Sequence, residues 1–70
     1  MNILVFKTNV SHKKKIMDLA PILDTMEGVI DWNFDLHDCD NILRVVANAI
    51  LPNQIESQIL QAGYYCEELE

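Results

Sequence analysis

Thiols and arginine are few in this chain, and long apolar runs are missing. Its two cysteines, Cys39 and Cys66, lie too far apart in sequence to form a local metal-binding pair. Two thiols are also too few for the disulfide framework of a small secreted domain, so both are expected to be reduced. The apolar stretch Ile3 to Phe6 is much shorter than a signal-peptide core. No later run approaches the roughly 20 residues of a membrane span, so a soluble, cytoplasmic protein without membrane insertion is expected. Bases are few: five against eleven acids, a net charge of -6 that the phosphate backbone of nucleic acid repels. General DNA or RNA binding is excluded.

What is present suits a small folded domain. Half of the residues are apolar and 23% are charged, unlike the charge-rich, apolar-poor composition of a disordered chain. Seventy residues allow one domain, spanning 1–70, with no linker to find. A core of that size supplies only roughly 3–5 kcal/mol of net stability, which leaves room for a dimer or a bound ligand to contribute. The charges are segregated. Lys7, Lys13, Lys14 and Lys15 are four of the five bases, and no acid precedes Asp18, so the amino-terminal end carries a positive patch on an acidic molecule.

Ile3 to Lys7 is apolar and partly β-branched with no turn former, which predicts a strand covered on both faces. After the polar stretch Thr8 to Ser11, apolar residues recur at Ile16, Leu19, Ala20, Leu23 and Met26. That period is helical, with Ser11 or His12 as the cap. Pro21 falls inside the pattern and should bend the helix, and Gly28 should end it. Val29 to Leu36 alternates: Ile30, Trp32, Phe34 and Leu36 point to a core, while Asp31, Asn33 and Asp35 point away. His37 to Asn41 is a polar turn, and the β-branched segment Ile42 to Asn48 returns as the second arm of a hairpin. Pro52 suits the first position of a second helix with the face Ile55, Ile59 and Ala62 and with Gly63 as its stop. Tyr64 to Leu69 is then a last short strand, in which Cys66 behaves as a small apolar group.

This order predicts an α+β, ferredoxin-like βαββαβ sandwich, a four-stranded antiparallel sheet with two helices on one face. In that topology the loop after strand one, the hairpin turn and the loop before the last strand all emerge at one end. His12, the segment His37 to Asp40, and Tyr64 therefore share a rim.

Phe6, Lys7, Thr8, Asn9 and Val10 close strand one, Pro21 sits mid-helix, and Gly28, Val29 and Trp32 open strand two. Asp40, Ile42, Leu43 and Val45 begin strand three, and Ile59, Ala62, Gly63 and Tyr64 lead from the second helix to the last strand. At this joint spacing, over nearly the whole chain, the sequence resembles the heavy-metal-associated domain of small copper chaperones and metal-pump modules. The resemblance implies the ferredoxin-like fold, a link to metal transport, and another protein as partner, a metal transporter among the candidates. A weak homodimer is a further option.

The family binds Cu(I) or related soft ions through Cys-x-x-Cys in the first loop and first helical turn. In this register those two positions are His12 and Lys15, and both thiols are replaced. Cu(I) favours thiolate, and a lysine ammonium, ordinarily with a pKa of about 10.4, has no lone pair to donate near neutrality. The resemblance therefore implies a divergent domain that has lost thiolate metal binding and acts as an interaction module. The alternative is a carrier of a less soft ion, Zn, Ni or Cu(II), through His12 with the rim residues His37 and Cys39, beside which stand Asp38 and Asp40. A polar turn that simply faces water gives the same residues.

Lys13, Lys14 and Lys15 oppose the helix dipole, which disfavours exposed cations there by about 0.3–1 kcal/mol each. They either receive an anion or an acidic partner surface, or are neutralised by Asp38, Asp40 and solvent. Tyr64 matches a tyrosine beside the family's metal loop and is a contact candidate, with packing as its other role. Catalysis is not expected. No nucleophile, base and orienting acid are placed together, and the phosphate-loop arginine of acylphosphatases, which share this fold, is missing because the one arginine is Arg44.

Overall fold

The computed structural model describes residues 1–69. Its elements run β1 (Asn2–Thr8), α1 (Lys13–Thr25), β2 (Val29–Asp35), β3 (Ile42–Ala47), α2 (Pro52–Gln61) and β4 (Cys66–Glu68). The sheet order is β2-β3-β1-β4, and each neighbouring pair is antiparallel. This is the expected ferredoxin-like arrangement. The core lies between one sheet face and the helices, where Phe6, Leu43 and Val45 meet Leu19 and Leu23 of α1 and Ile55 and Ile59 of α2.

Several expectations need correction. β1 is covered on one face only: Phe6 and Thr8 are buried, whereas Ile3 is 68% exposed, because both helices lie on the other side of the sheet. Strand alternation in β2 is broken by a bulge. Val29 pairs with Ala47 and Asp31 with Val46, so Ile30 is the extra residue, 58% exposed, and Val29 takes its place against the core. Trp32 and Phe34 keep their predicted side, packed edge to face with ring centroids 5.9 Å apart.

The last strand begins two residues later than expected. Gly63 adopts φ +95°, and the amides of Gly63 and Tyr64 donate to the carbonyls of Leu60 and Ile59, closing α2 in a Schellman turn. The Tyr65 amide then donates to the Asn9 side chain at 2.8 Å. Those donors are committed elsewhere, so the ladder with β1 starts only at Cys66.

Helix α1 runs unbroken through Pro21 and stops at Thr25. Its cap, Met26, is already extended, and Gly28 serves the turn into β2 at φ +97°. A Cβ at Gly28 would lie 2.9 Å from the Asn48 carbonyl oxygen, so glycine is required there by contact as well as by conformation. Pro52 opens α2 as expected, and Gln54 accepts a hydrogen bond from the Leu51 amide at 2.7 Å. No helix among the described residues is long and apolar enough to cross a membrane.

Candidate functional site

Thr8 organises the rim. Its amide donates to the Asp40 carbonyl at 3.0 Å and its hydroxyl to the Asn41 carbonyl at 2.6 Å. The same hydroxyl oxygen accepts the Val10 amide at 3.1 Å, within a residue only 5% exposed. One side chain thus fastens the loop after β1 to the β2–β3 turn. Asn9 fastens that loop on its other side, accepting the Tyr65 amide and donating its own amide to the Tyr65 carbonyl at 3.4 Å. The three loops do share one end of the sheet.

His12 occupies the N-cap of α1 in an extended conformation and makes no side-chain capping bond. There is no acid in the first turn to complement the helix dipole. Lys15 is half-buried, its Nζ 3.4 Å from the Ser11 hydroxyl, while Lys13 and Lys14 are exposed. Asp38 and Asp40 do not neutralise the lysines by direct pairing. Among the described residues the one ion pair joins Arg44 to Asp35, at 3.8 Å, and none reaches Lys13, Lys14 or Lys15.

The β2–β3 turn brings the ligating atoms of Asp38, Cys39 and Asp40 within 4.8 Å of one another. Neither histidine belongs to that group. Part of the cluster has a local explanation, since an Asp38 carboxylate oxygen accepts the Asp40 amide at 2.9 Å and so shapes the turn. His37 instead joins Lys13 across a shallow cleft of about 400 Å³, floored by Ile16, Phe34 and Leu36 and flanked by Asp35 and Arg44.

The two thiols have different environments. Cys39 is exposed on the turn, whereas Cys66 is 5% exposed and packs in the core. Burial, with the nearby Glu56 carboxylate, pushes the Cys66 thiol up to about 12 from an ordinary 9.0, which keeps it protonated and inert. Tyr64 is half-buried against the core, and its hydroxyl donates to Asp18 on α1 at 3.2 Å. Desolvation first, and then Asp18, raise its phenol above the ordinary range. It ties the last loop to α1, so the packing role foreseen for it is real and its hydroxyl is already engaged.

Among solved structures, the yeast copper transporter domain Ccc2a matches with a TM-score of 0.85 and 18% identity, over 100% of this chain and 97% of that one. The metallochaperone CsoZ gives a TM-score of 0.78 at 20% identity, over 99% and 97%. The chain has the fold of copper-chaperone domains. A chain of the Atx1-Cu(I)-Ccc2a complex repeats the match, with a TM-score of 0.83 at 18% identity over 100% and 97%. No family model and no curated protein matches the sequence.

In the copper-chaperone fold the loop from β1 to α1 here presents one hydroxyl, one imidazole and three ammonium groups, from Ser11 to Lys15. The sequence marks Thr8 and Asn9 only as part of the family pattern at the end of strand one, not as the residues that clamp the loops, and gives Asp18 no role, although a threonine two residues before a buried amide is a known turn signal. The cleft residues Ile16, Phe34 and Leu36 read as core because their periodicity is that of core positions.

Proposed function

We propose that this chain is a divergent heavy-metal-associated domain of the cytoplasm that no longer holds Cu(I) through thiolates and acts as a small protein-interaction module. His12 to Lys15 and the adjoining loops form its contact surface. The observation that carries this reading is the donor set of the β1–α1 loop. Its ammonium groups have no lone pair near neutrality, and imidazole is a harder ligand than the thiolate Cu(I) prefers. The remaining sulfurs do not compensate, since Cys66 is buried in the core and Cys39 sits on a different loop. The Atx1-Cu(I)-Ccc2a complex, whose fold this chain shares, supports a role in protein contacts.

The Asp38, Cys39 and Asp40 cluster favours a second reading, carriage of a less soft ion such as Zn(II), Ni(II) or Cu(II), with His12 or His37 completing the ligands. Native mass spectrometry separates the two. The protein is titrated with Cu(I), Cu(II), Zn(II) and Ni(II), alongside His12→Ala and the double variant His12→Cys/Lys15→Cys. The interaction reading expects no stoichiometric complex with the native sequence at micromolar metal, and one Cu(I) bound by the double variant. A one-to-one complex that disappears in His12→Ala overturns it in favour of the carrier. A folded double variant that stays free of copper refutes the assignment of the loop positions.

A further inference from the structure

Both helices lie on one side of the sheet, and the other side is open. There Ile3 stands opposite Val46 in the β1–β3 register, Val5 follows two residues on, and the Leu69 amide donates to the Val5 carbonyl at 2.8 Å. Strand alternation puts these four side chains on one surface. None belongs to the core cluster. Ile3 and Leu69 are 68% and 38% exposed, and Val5 and Val46 are half-buried.

The charges of this face are matched within the chain. Lys7 faces Glu67 in the β1–β4 register, and Arg44 pairs with Asp35 at 3.8 Å, which leaves Asp31 at the β2 edge. Two bases and three acids give the face a net charge of -1 out of the molecule's -6, so the acid excess lies mostly elsewhere. The charges are also unevenly placed. Lys7, Glu67 and Asp35 gather toward the β2–β3 turn, whereas Ile3 and Val46 lie at the opposite end. An occupant of this face therefore needs to bring no charge, only a flat apolar surface of the same kind.

We propose that the open sheet face joins two copies of this chain, sheet on sheet about a two-fold axis, with their β1 strands antiparallel. That arrangement stacks Ile3 of one copy near Ile3 of the other and lets the two charged ends project past each other into water. A parallel arrangement would instead bring Glu67 and Asp35 of the two copies together. Four strands about 4.8 Å apart and about 20 Å long present a face on the order of 400 Å². Covering it on both copies removes on the order of 1,000 Å² of accessible surface, the low end for a specific interface, so the dimer is weak, with Kd on the order of 0.1–1 mM. Apolar contact holds it together while the -6 charge of each copy opposes encounter, so added salt tightens it. The face is separate from the His12 to Lys15 surface, and the inference does not depend on that reading.

The test is sedimentation equilibrium and amide NMR of the full chain from about 50 μM to about 1 mM, under reducing conditions that prevent a Cys39 disulfide. The expected result is a monomer–dimer equilibrium with concentration-dependent shifts at Ile3, Val5, Val46 and Leu69. Raising the salt from about 20 to about 300 mM should lower Kd. Ile3→Thr keeps the β-branched shape and the net charge, and should weaken association at least about tenfold because the change occurs twice across the interface. Met17→Gln, 71% exposed on α1, should leave it unchanged. A monomer at about 1 mM overturns the proposal. So does a dimer that Ile3→Thr leaves intact, or one that salt dissociates, since either would place the contact on another surface or on charge. Shifts at these residues with phosphatidylcholine vesicles but not with protein concentration would assign the face to a membrane and overturn it as well. All these failures leave the reading of the His12 to Lys15 loop standing, since that reading falls on metal stoichiometry instead.

Discussion

Replacing Thr8 by valine keeps shape and strand preference while deleting the hydroxyl that joins two loops. In the native chain this hydroxyl donates to the Asn41 carbonyl at 2.6 Å and accepts the Val10 amide at 3.1 Å. The two losses differ in cost. Asn41 is half-buried, so its carbonyl can turn to water, and the net loss there is about 0.5–1.5 kcal/mol. Val10 is fully buried, so its amide is left without a partner, which costs about 1–3 kcal/mol. Thr8→Val should therefore destabilise the protein by about 1.5–4.5 kcal/mol, a large part of what a core of this size supplies. At about 4–8 °C per kcal/mol for a domain of this length, Tm should fall by on the order of 10–30 °C. Urea and thermal unfolding followed by circular dichroism measure the change, and amide exchange should quicken first at Val10 and in the β2–β3 turn. A loss below about 1 kcal/mol would refute the reasoning, because it would mean that the buried amide finds another acceptor.

The two glycines should respond unequally. Gly28→Ala meets the Asn48 carbonyl and Ile50 Cβ at 2.9 and 3.0 Å, whereas a Cβ at Gly63 meets nothing within 4 Å. Gly63→Ala should cost only the conformational strain of positive φ, about 1–2 kcal/mol, and Gly28→Ala more than that in the same urea titration. Cys66 should make stability fall with rising pH. Its folded pKa of about 12 lies above the ordinary 9.0, so between those values the unfolded chain releases a proton that the native state keeps. The slope should reach about 1.4 kcal/mol per pH unit. Tyr64, through desolvation and Asp18, and Tyr65, through its hydrogen bond to Glu67, act in the same direction, so the thiol's share is the difference between native protein and Cys66→Ala. A thiol reagent at neutral pH should modify Cys39 in the folded state and reach Cys66 only on unfolding, which a mass measurement reads directly.

Much of the fold was legible because it is written in local periods. The helical spacing from Ile16 to Leu23, the hairpin around His37 to Asn41, and the Pro52 and Gly63 boundaries of α2 all appear where sequence placed them. The misreadings share a cause. Ile3 looks like a buried strand residue because apolar, β-branched runs do not say whether one sheet face is covered or two. Ile30 fits perfect alternation, and a one-residue bulge is invisible until the partner strand's register is known. Tyr64 and Tyr65 look like strand residues, yet the Schellman turn and Asn9 take their amides first.

The candidate site divides along the same line. Its composition, one imidazole and three ammonium groups, is fixed by residue identity in the segment His12 to Lys15. The order of strands and helices follows from residues a few positions apart, whose periodicity is local chemistry. Only the tertiary structure decided that Thr8 clamps a carbonyl 33 positions away and that Asn9 holds an amide 56 positions away. It also decided that one cysteine is sealed in the core while the other faces water, and that Lys13 and His37 border the same apolar cleft. Such pairings depend on strand register and on which sheet face the helices cover, quantities that no window of neighbouring residues contains.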